Sequence, residues 1–254
     1  MADIKKKKKT EKRLIIPGLA VAAFVMIAFI FFWRFPIGYR MSVSLHGFTE
    51  EAGNIYINND YGASKKEAVR IVNEARERVA GYFGEIKSDP VVIVCDNKAK
   101  LKKLGGDHDT STIIVYNVKS YTAVSPEYLN VDIIAHELTH AEVHARVYKG
   151  KFRFQLSIPT WFDEGIALQN DYRDAYSEDA WKEATDNGKT TVDLNDIDTP
   201  AKFYAGEAAD RRYRYIVSKY ELSGRIEEYG LPALLELLDK LNQGEDFNSL
   251  YHRR

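Results

Sequence analysis

The sequence predicts an α+β fold: a small N-terminal mixed sheet with one helix, then a mostly helical half, all behind a single transmembrane helix. Three observations predict it. The run from Leu14 to Trp33 carries no charge. Two short β-branched runs, 91–95 and 112–116, fall in the first part of the remaining chain. From Ser125 onward, apolar residues and helix-start and helix-stop residues dominate. A small sheet succeeded by helices is the α+β pattern.

The opening segment sets topology. Lys5 to Lys9, Lys12 and Arg13 precede the charge-free run, and only Arg34 and Arg40 come closely after it. At about 1.5 Å per helical residue, residues 14–33 cover roughly the 30 Å hydrocarbon core. Trp33 suits the far interface, and the basic excess places the N-terminus in the cytoplasm. A cleaved signal would have an apolar core of about 7–15 residues and a small-x-small site. This run instead ends in Phe31-Phe32-Trp33-Arg34-Phe35-Pro36, so an uncleaved anchor is expected. The expected partition is a basic tail at 1–13, an anchor at 14–33 in the lipid bilayer, a juxtamembrane segment at 34–60 and a folded domain at 61–254. That domain is expected on the extracytoplasmic side of the cell membrane.

Within the domain, Val69, Ile71, Val72, Ala75, Val79 and Phe83 recur at helical spacing over 64–83. Ser64 caps that helix, with Glu67 three residues on. Pro90 introduces the buried-type strand 91–95. A short helix comes next at 97–104, stopped by Gly105-Gly106, and a second strand at 112–116. Ser125-Pro126-Glu127 then reads as the start of a long helix ending near Lys149, before Gly150. Phe152, Phe154 and Leu156 suggest a short strand or extended loop. Pro159 starts a helix reaching Ala167, and two more are expected at 200–222 and 231–242, the last with Pro232 near its start. No internal repeat is visible.

Composition removes several classes. With 45% hydrophobic and 29% charged residues the chain is not disordered. A net charge of -1 gives no footprint for nucleic acid. Cys95 is the sole cysteine, which excludes an intramolecular disulfide and cysteine-only metal sites. It is expected to be a small buried hydrophobe.

The informative segment is His136-Glu137-Leu138-Thr139-His140. Helical residues four apart share a face, so both imidazoles can reach one Zn²⁺ at about 2.0–2.1 Å. Glu137 lies one step round and can approach a water without ligating the metal. A chance match on an amphipathic helix is the rival reading. The mid-helix position and the apolar neighbours Ile133, Ile134 and Leu138 weigh against it. A catalytic zinc usually takes three protein ligands. A metzincin would need a glycine where Val143 stands and a histidine where Arg146 stands, so that class is excluded. His144 sits a further turn on and reads as a supporting residue. Glu164, in Pro159-Thr160-Trp161-Phe162-Asp163-Glu164-Gly165-Ile166-Ala167, is the better candidate. The residues alone leave it open between a ligand and a surface carboxylate beside a core Trp161-Phe162 pair.

These two segments together resemble the gluzincin metallopeptidases, above all the bacterial peptidase MA-like group. The resemblance extends weakly over residues 64–245, through Phe203-Tyr204-Ala205 and Glu228-Tyr229-Gly230. It implies Glu164 as the third zinc ligand beside His136 and His140, and a peptide or protein substrate. One departure stands out: thermolysin-type members carry an Asp four residues after the ligand Glu, and here that position is Leu168. Asp132 and Asp163 are the candidates left for orienting the histidines. Glu137 is expected as general base, with Tyr204 or Tyr213 as donor to a developing oxyanion. Thr139 and Asp163 read as structural, and His46, His108 and His252 receive no role. The alternative expectation is a non-catalytic zinc-binding interaction or assembly module tethered to the membrane. An intact Glu137 favours the enzyme, because a purely structural zinc site is usually closed by four ligands. A membrane-embedded protease is excluded: the motif lies about a hundred residues past the one span.

Overall fold

A computed structural model of the protein describes residues 21–29, 43, 46–104, 110–115, 119–148 and 158–252. Residues 1–46 and 47–254 are separate units. In the first, residues 21–29 are helical with exposed side chains. Among the described residues no helix is long and apolar enough to cross a membrane. Residues 14–20 and 30–33 of the expected anchor lie outside the described residues, as do Gly105-Gly106, Tyr116 and the 152–156 stretch.

The second unit is α+β, with a mixed sheet first and a mostly helical remainder. Its strands are β1 (Phe48–Ala52), β2 (Ile55–Asn58), β3 (Val91–Val94), β4 (Thr110–Val115) and β5 (Lys119–Val124). The sheet order is β1-β2-β3-β5-β4. The inner pairs β2–β3 and β3–β5 are parallel, and both outer pairs are antiparallel. All four residues of β3 are buried, which explains its unbroken Val-Val-Ile-Val run.

The fold corrects the expected juxtamembrane segment at 34–60 and the expected domain start at 61. Phe48–Asn58 form the β1–β2 hairpin, turned at Asn54 (φ 62°), and β2 pairs directly with β3. The hairpin's sequence signal is weak for a physical reason. β1 is an edge strand with only Phe48 buried, so its sequence alternates too little to read. β5 is equally silent, because its buried face includes Ser120 and Thr122, which look polar in sequence.

The parallel β2–β3 step is crossed by α1 (Lys65–Phe83), as expected, with the Ser64 side chain accepting from the Glu67 N–H. Its buried stripe is Ala68, Val72, Ala75, Val79 and Phe83. α2 (Lys98–Lys103) is capped by Asn97. The long helix α3 runs Val131–Val147 and does not begin at Pro126. Ser125-Pro126 instead opens a 3-10 turn at Pro126–Tyr128 in which the serine side chain caps nothing. Asn130, in extended backbone, then accepts from Ile133 N–H at 2.9 Å and starts the true helix.

The remaining helices are α4 (Thr160–Ala167), α5 (Glu178–Thr185), α6 (Pro200–Phe203), α7 (Ala208–Tyr229), α8 (Leu231–Gln243) and α9 (Phe247–Tyr251). The single helix expected over 200–222 is thus two, and the second reaches Tyr229. The break lies at Tyr204–Glu207, where Gly206 takes φ +76° and the Glu207 N–H donates to Asp210 at 3.1 Å. α4 is buried along its whole length, packed against α3 on one side and α7 on the other. A Cβ on Gly165 would stand 2.5 Å from the Ser218 carbonyl and 2.9 Å from Leu222, so only glycine lets α4 approach the α7 backbone this closely. Trp161 and Phe162 meet Phe247 and Tyr251 edge-on at 4.9–6.0 Å. Each such pair contributes about 0.5–1.5 kcal/mol beyond its buried area.

Candidate metal centre

His136 and His140 stand one turn apart in the middle of α3, and Glu164 projects from α4 where the two helices pack. Their ligand atoms form a nearly equilateral triangle. The two Nε2 atoms are 3.2 Å apart, and Glu164 Oε2 lies 3.3 Å from that of His136 and 3.4 Å from that of His140. A tetrahedral zinc with arms of about 2.0–2.1 Å separates its ligand atoms by about 3.3–3.4 Å. The triangle therefore has the dimensions of one face of that tetrahedron. No fourth histidine, cysteine or carboxylate joins the group among the described residues. Glu164 Oε2 is buried and makes no aligned hydrogen bond. Three ligand atoms converging in this way, one of them buried without a partner, are a donor set that suits a divalent cation.

Of the two carboxylates expected to orient the histidines, one lies beside them and the other does not. Asp163 Oδ2 lies 3.1 Å from His140 Nδ1 and 3.3 Å from His144 Nε2, joining the two imidazoles. His144 is thus a supporting residue. Asp132 orients no histidine; it pairs with Arg78, whose guanidinium also donates to the Asn170 carbonyl at 3.0 Å. Asp171, fully buried and held by Arg173, stands 3.6 Å from His136 Nδ1, beyond hydrogen-bond reach. Leu168, where thermolysin-type members carry an aspartate, is core. The chain reaches Asp171 through a 3-10 turn at Leu168–Asn170. Asn170 anchors that turn by donating to Thr139 Oγ1 at 3.0 Å, and Thr139 donates in turn to the Ala135 carbonyl at 2.7 Å. Thr139 is thus structural, tying the motif helix to the turn that delivers Asp171. No sequence signal marks Asp171, because a carboxylate seven residues past Glu164 approaches His136 only through that turn.

The tyrosines also separate. The Tyr204 hydroxyl donates to Glu164 Oε1. Among the described residues no hydrogen bond or ring contact joins Tyr213 to the cluster. Tyr215, two positions on and hence on the opposite side of α7, packs edge-on against Phe203 at 5.1 Å and tilted against Tyr176 at 5.9 Å. Burial first, then the charge of Glu164, push the Tyr215 phenol well above its ordinary range, and Glu137 adds to the effect. Sequence gives no hint of Tyr215, because an unbroken helix from 200 sets the wrong phase.

Charge in the cluster is finely opposed. Burial alone would raise the Glu164 titration, but His140 and His136 outweigh it and hold it at about 2. Burial likewise opposes ionisation of Asp163, and His140 and His144 override it, keeping the carboxyl far below the usual range. Burial would lower His140, yet Asp163 and Glu164 raise it well above the usual imidazole value. Tyr204 is held protonated by burial and by Glu164. The buried carboxylates thus call for positive charge at their centre, which a protonated imidazole or a metal dication can meet.

Set against protein-family models, curated proteins and solved structures, the chain matches none. What fold and site define together is an α+β domain with a buried His-His-Glu cluster of metal-site dimensions.

Proposed function

We propose that the chain is a zinc-dependent peptidase of gluzincin type, tethered to a membrane by residues 14–33 with its domain on the extracytoplasmic side. The observation that carries this reading is the 3.2–3.4 Å triangle of His136, His140 and Glu164. The tether is supported by the charge-free run behind seven basic residues and by the exposed apolar side chains of Val21, Phe24, Val25, Met26, Ile27 and Phe29.

His136, His140 and Glu164 would hold the metal. When bound, Zn²⁺ supplies Lewis acidity, polarising a carbonyl and acidifying a water. Glu137, half-buried next to His136, takes the proton of the attacking water and delivers it to the departing amine. Tyr215, packed against Phe203 and Tyr176, is the candidate donor to the charge that develops on the carbonyl oxygen. Asp163, 3.1 Å from His140 Nδ1, would steady that imidazole with Nε2 turned inward.

The test is metal content and peptide hydrolysis of the detergent-solubilised chain beside Glu137→Gln. The variant is expected to keep its zinc and to lose about 10²–10⁴-fold in turnover. Full turnover in Glu137→Gln would remove the mechanism. A wild type that holds zinc but cleaves no peptide would leave the non-catalytic zinc-binding module as the function.

A further inference from the structure

Glu164 has two carboxylate oxygens, and the fold assigns them different work. Oε2 faces the two imidazoles at 3.3 and 3.4 Å. Oε1 points the other way and accepts the Tyr204 hydroxyl proton. We propose that Tyr204 is a positioning residue that keeps Glu164 a one-oxygen ligand, so that the carboxylate cannot swing both oxygens onto the metal and occupy the place a substrate carbonyl or water must take. This inference rests on the zinc reading above.

Tyr204 is built for the task by the break between α6 and α7. It is 43% exposed, so its ring enters from the surface and delivers its hydroxyl inward. Phe203, fully buried, anchors the residue before it, and the Tyr204 N–H donates to the Pro200 carbonyl at 3.0 Å. Arg214 reaches back from α7 and donates to the carbonyls on both sides, at Phe203 (2.9 Å) and Ala205. The tyrosine is therefore clamped fore and aft, although it sits in a connecting segment. A donor fixed in this way selects one carboxylate rotation at no further ordering cost. The hydroxyl proton engages one Oε1 lone pair, and turning that oxygen onto the metal would have to break or distort this bond.

The experiment compares the full chain with Tyr204→Phe, both loaded with Co²⁺ in place of zinc. Phenylalanine keeps the ring contact with Phe203 at 5.2 Å and removes only the hydroxyl. Wild type is expected to show the intense visible bands of four-coordinate cobalt. In Tyr204→Phe those bands fall several-fold as the second oxygen binds, while circular dichroism of the metal-free proteins stays the same. Identical cobalt spectra in the two proteins would overturn the inference and leave the zinc reading standing. A wild type that takes up neither Co²⁺ nor Zn²⁺ would overturn both. Should Tyr204→Phe fail to fold, X-ray absorption of zinc-loaded wild type decides: a one-oxygen carboxylate supports the proposal and a two-oxygen carboxylate refutes it.

Discussion

Helix α3 carries two buried charged groups less than two turns apart, and they are solved in opposite ways. At its C-terminal end Glu142 and Arg146 are nearly inaccessible and fully matched. Glu142 accepts from Arg146 Nε at 2.8 Å and from the backbone N–H groups of Lys87 and Ser88 at 2.9–3.1 Å. Arg146 donates to the Glu85 carbonyl and lies over the Phe83 ring at 5.1 Å. Every lone pair has an answer, and the pair ties the loop after α1 to α3. In the middle of the helix, Glu164 Oε2 converges on the two Nε2 atoms and has no such answer. A buried polar group left unmatched costs about 1–3 kcal/mol. The contrast separates a charge used to hold the fold from charges held ready for something else.

The comparison breaks most sharply at the matched pair. Arg146→Ala strands a buried carboxylate and is expected to cost about 3–5 kcal/mol in denaturant unfolding, with or without metal. Glu164→Ala should act the other way round. It should cost the metal-free protein less than Arg146→Ala does, while the gain from zinc disappears. That gain, about 4 kcal/mol at a thousandfold excess over Kd, reads as a rise in thermal midpoint in wild type alone. If Glu164→Ala destabilises the metal-free chain as much as Arg146→Ala does, the cluster is structural.

Smaller changes sharpen the contrast. Asp163→Asn leaves the ligands in place but weakens the hold on His140 and His144, so zinc affinity should fall about 10–100-fold by chelator competition. Asp132→Asn, whose carboxylate serves Arg78 instead, should leave that affinity unchanged. Gly165→Ala forces a methyl into the Ser218 carbonyl and should cost about 1–3 kcal/mol in denaturant unfolding. The smallest effect concerns Cys95. Burial first, then Asp96, push its thiol up to about 12. The native thiolate is then about one part in ten thousand at pH 8, and alkylation of the folded protein should be correspondingly slow. Because the native state favours the neutral thiol, this group's contribution is intact below the unfolded value near 9 and is lost as pH climbs toward 12.

Much of this architecture is legible in the chain. α1, β3, α4 and α8 rest on local cues: the Ser64 cap, a four-residue apolar run, Pro159 and Pro232. The candidate ligands rest on a spacing of four along one helix and, for Glu164, on a resemblance. The hidden parts depend on distant partners. β1 and β2 gain their meaning from β3. The start of α3 is decided by competition between Ser125 and Asn130, which only the backbone resolves. Asp171, Tyr204 and Tyr215 take their places through the turn at Leu168–Asn170 and the break before α7. Arg146 shows the reverse. In the sequence it serves to exclude one ligand pattern, and the structure gives it a separate duty in holding the fold.

The absent side chain at Gly165 has a mechanical consequence. With no methyl at position 165, α4 lies directly against the Ser218 carbonyl and the Leu222 side chain. The neighbouring carboxylate at position 164 thus rides on the rail formed by α7. A shift of that rail would therefore be felt at the proposed metal ligand, and the geometry of the His136, His140 and Glu164 triangle would report where α7 sits.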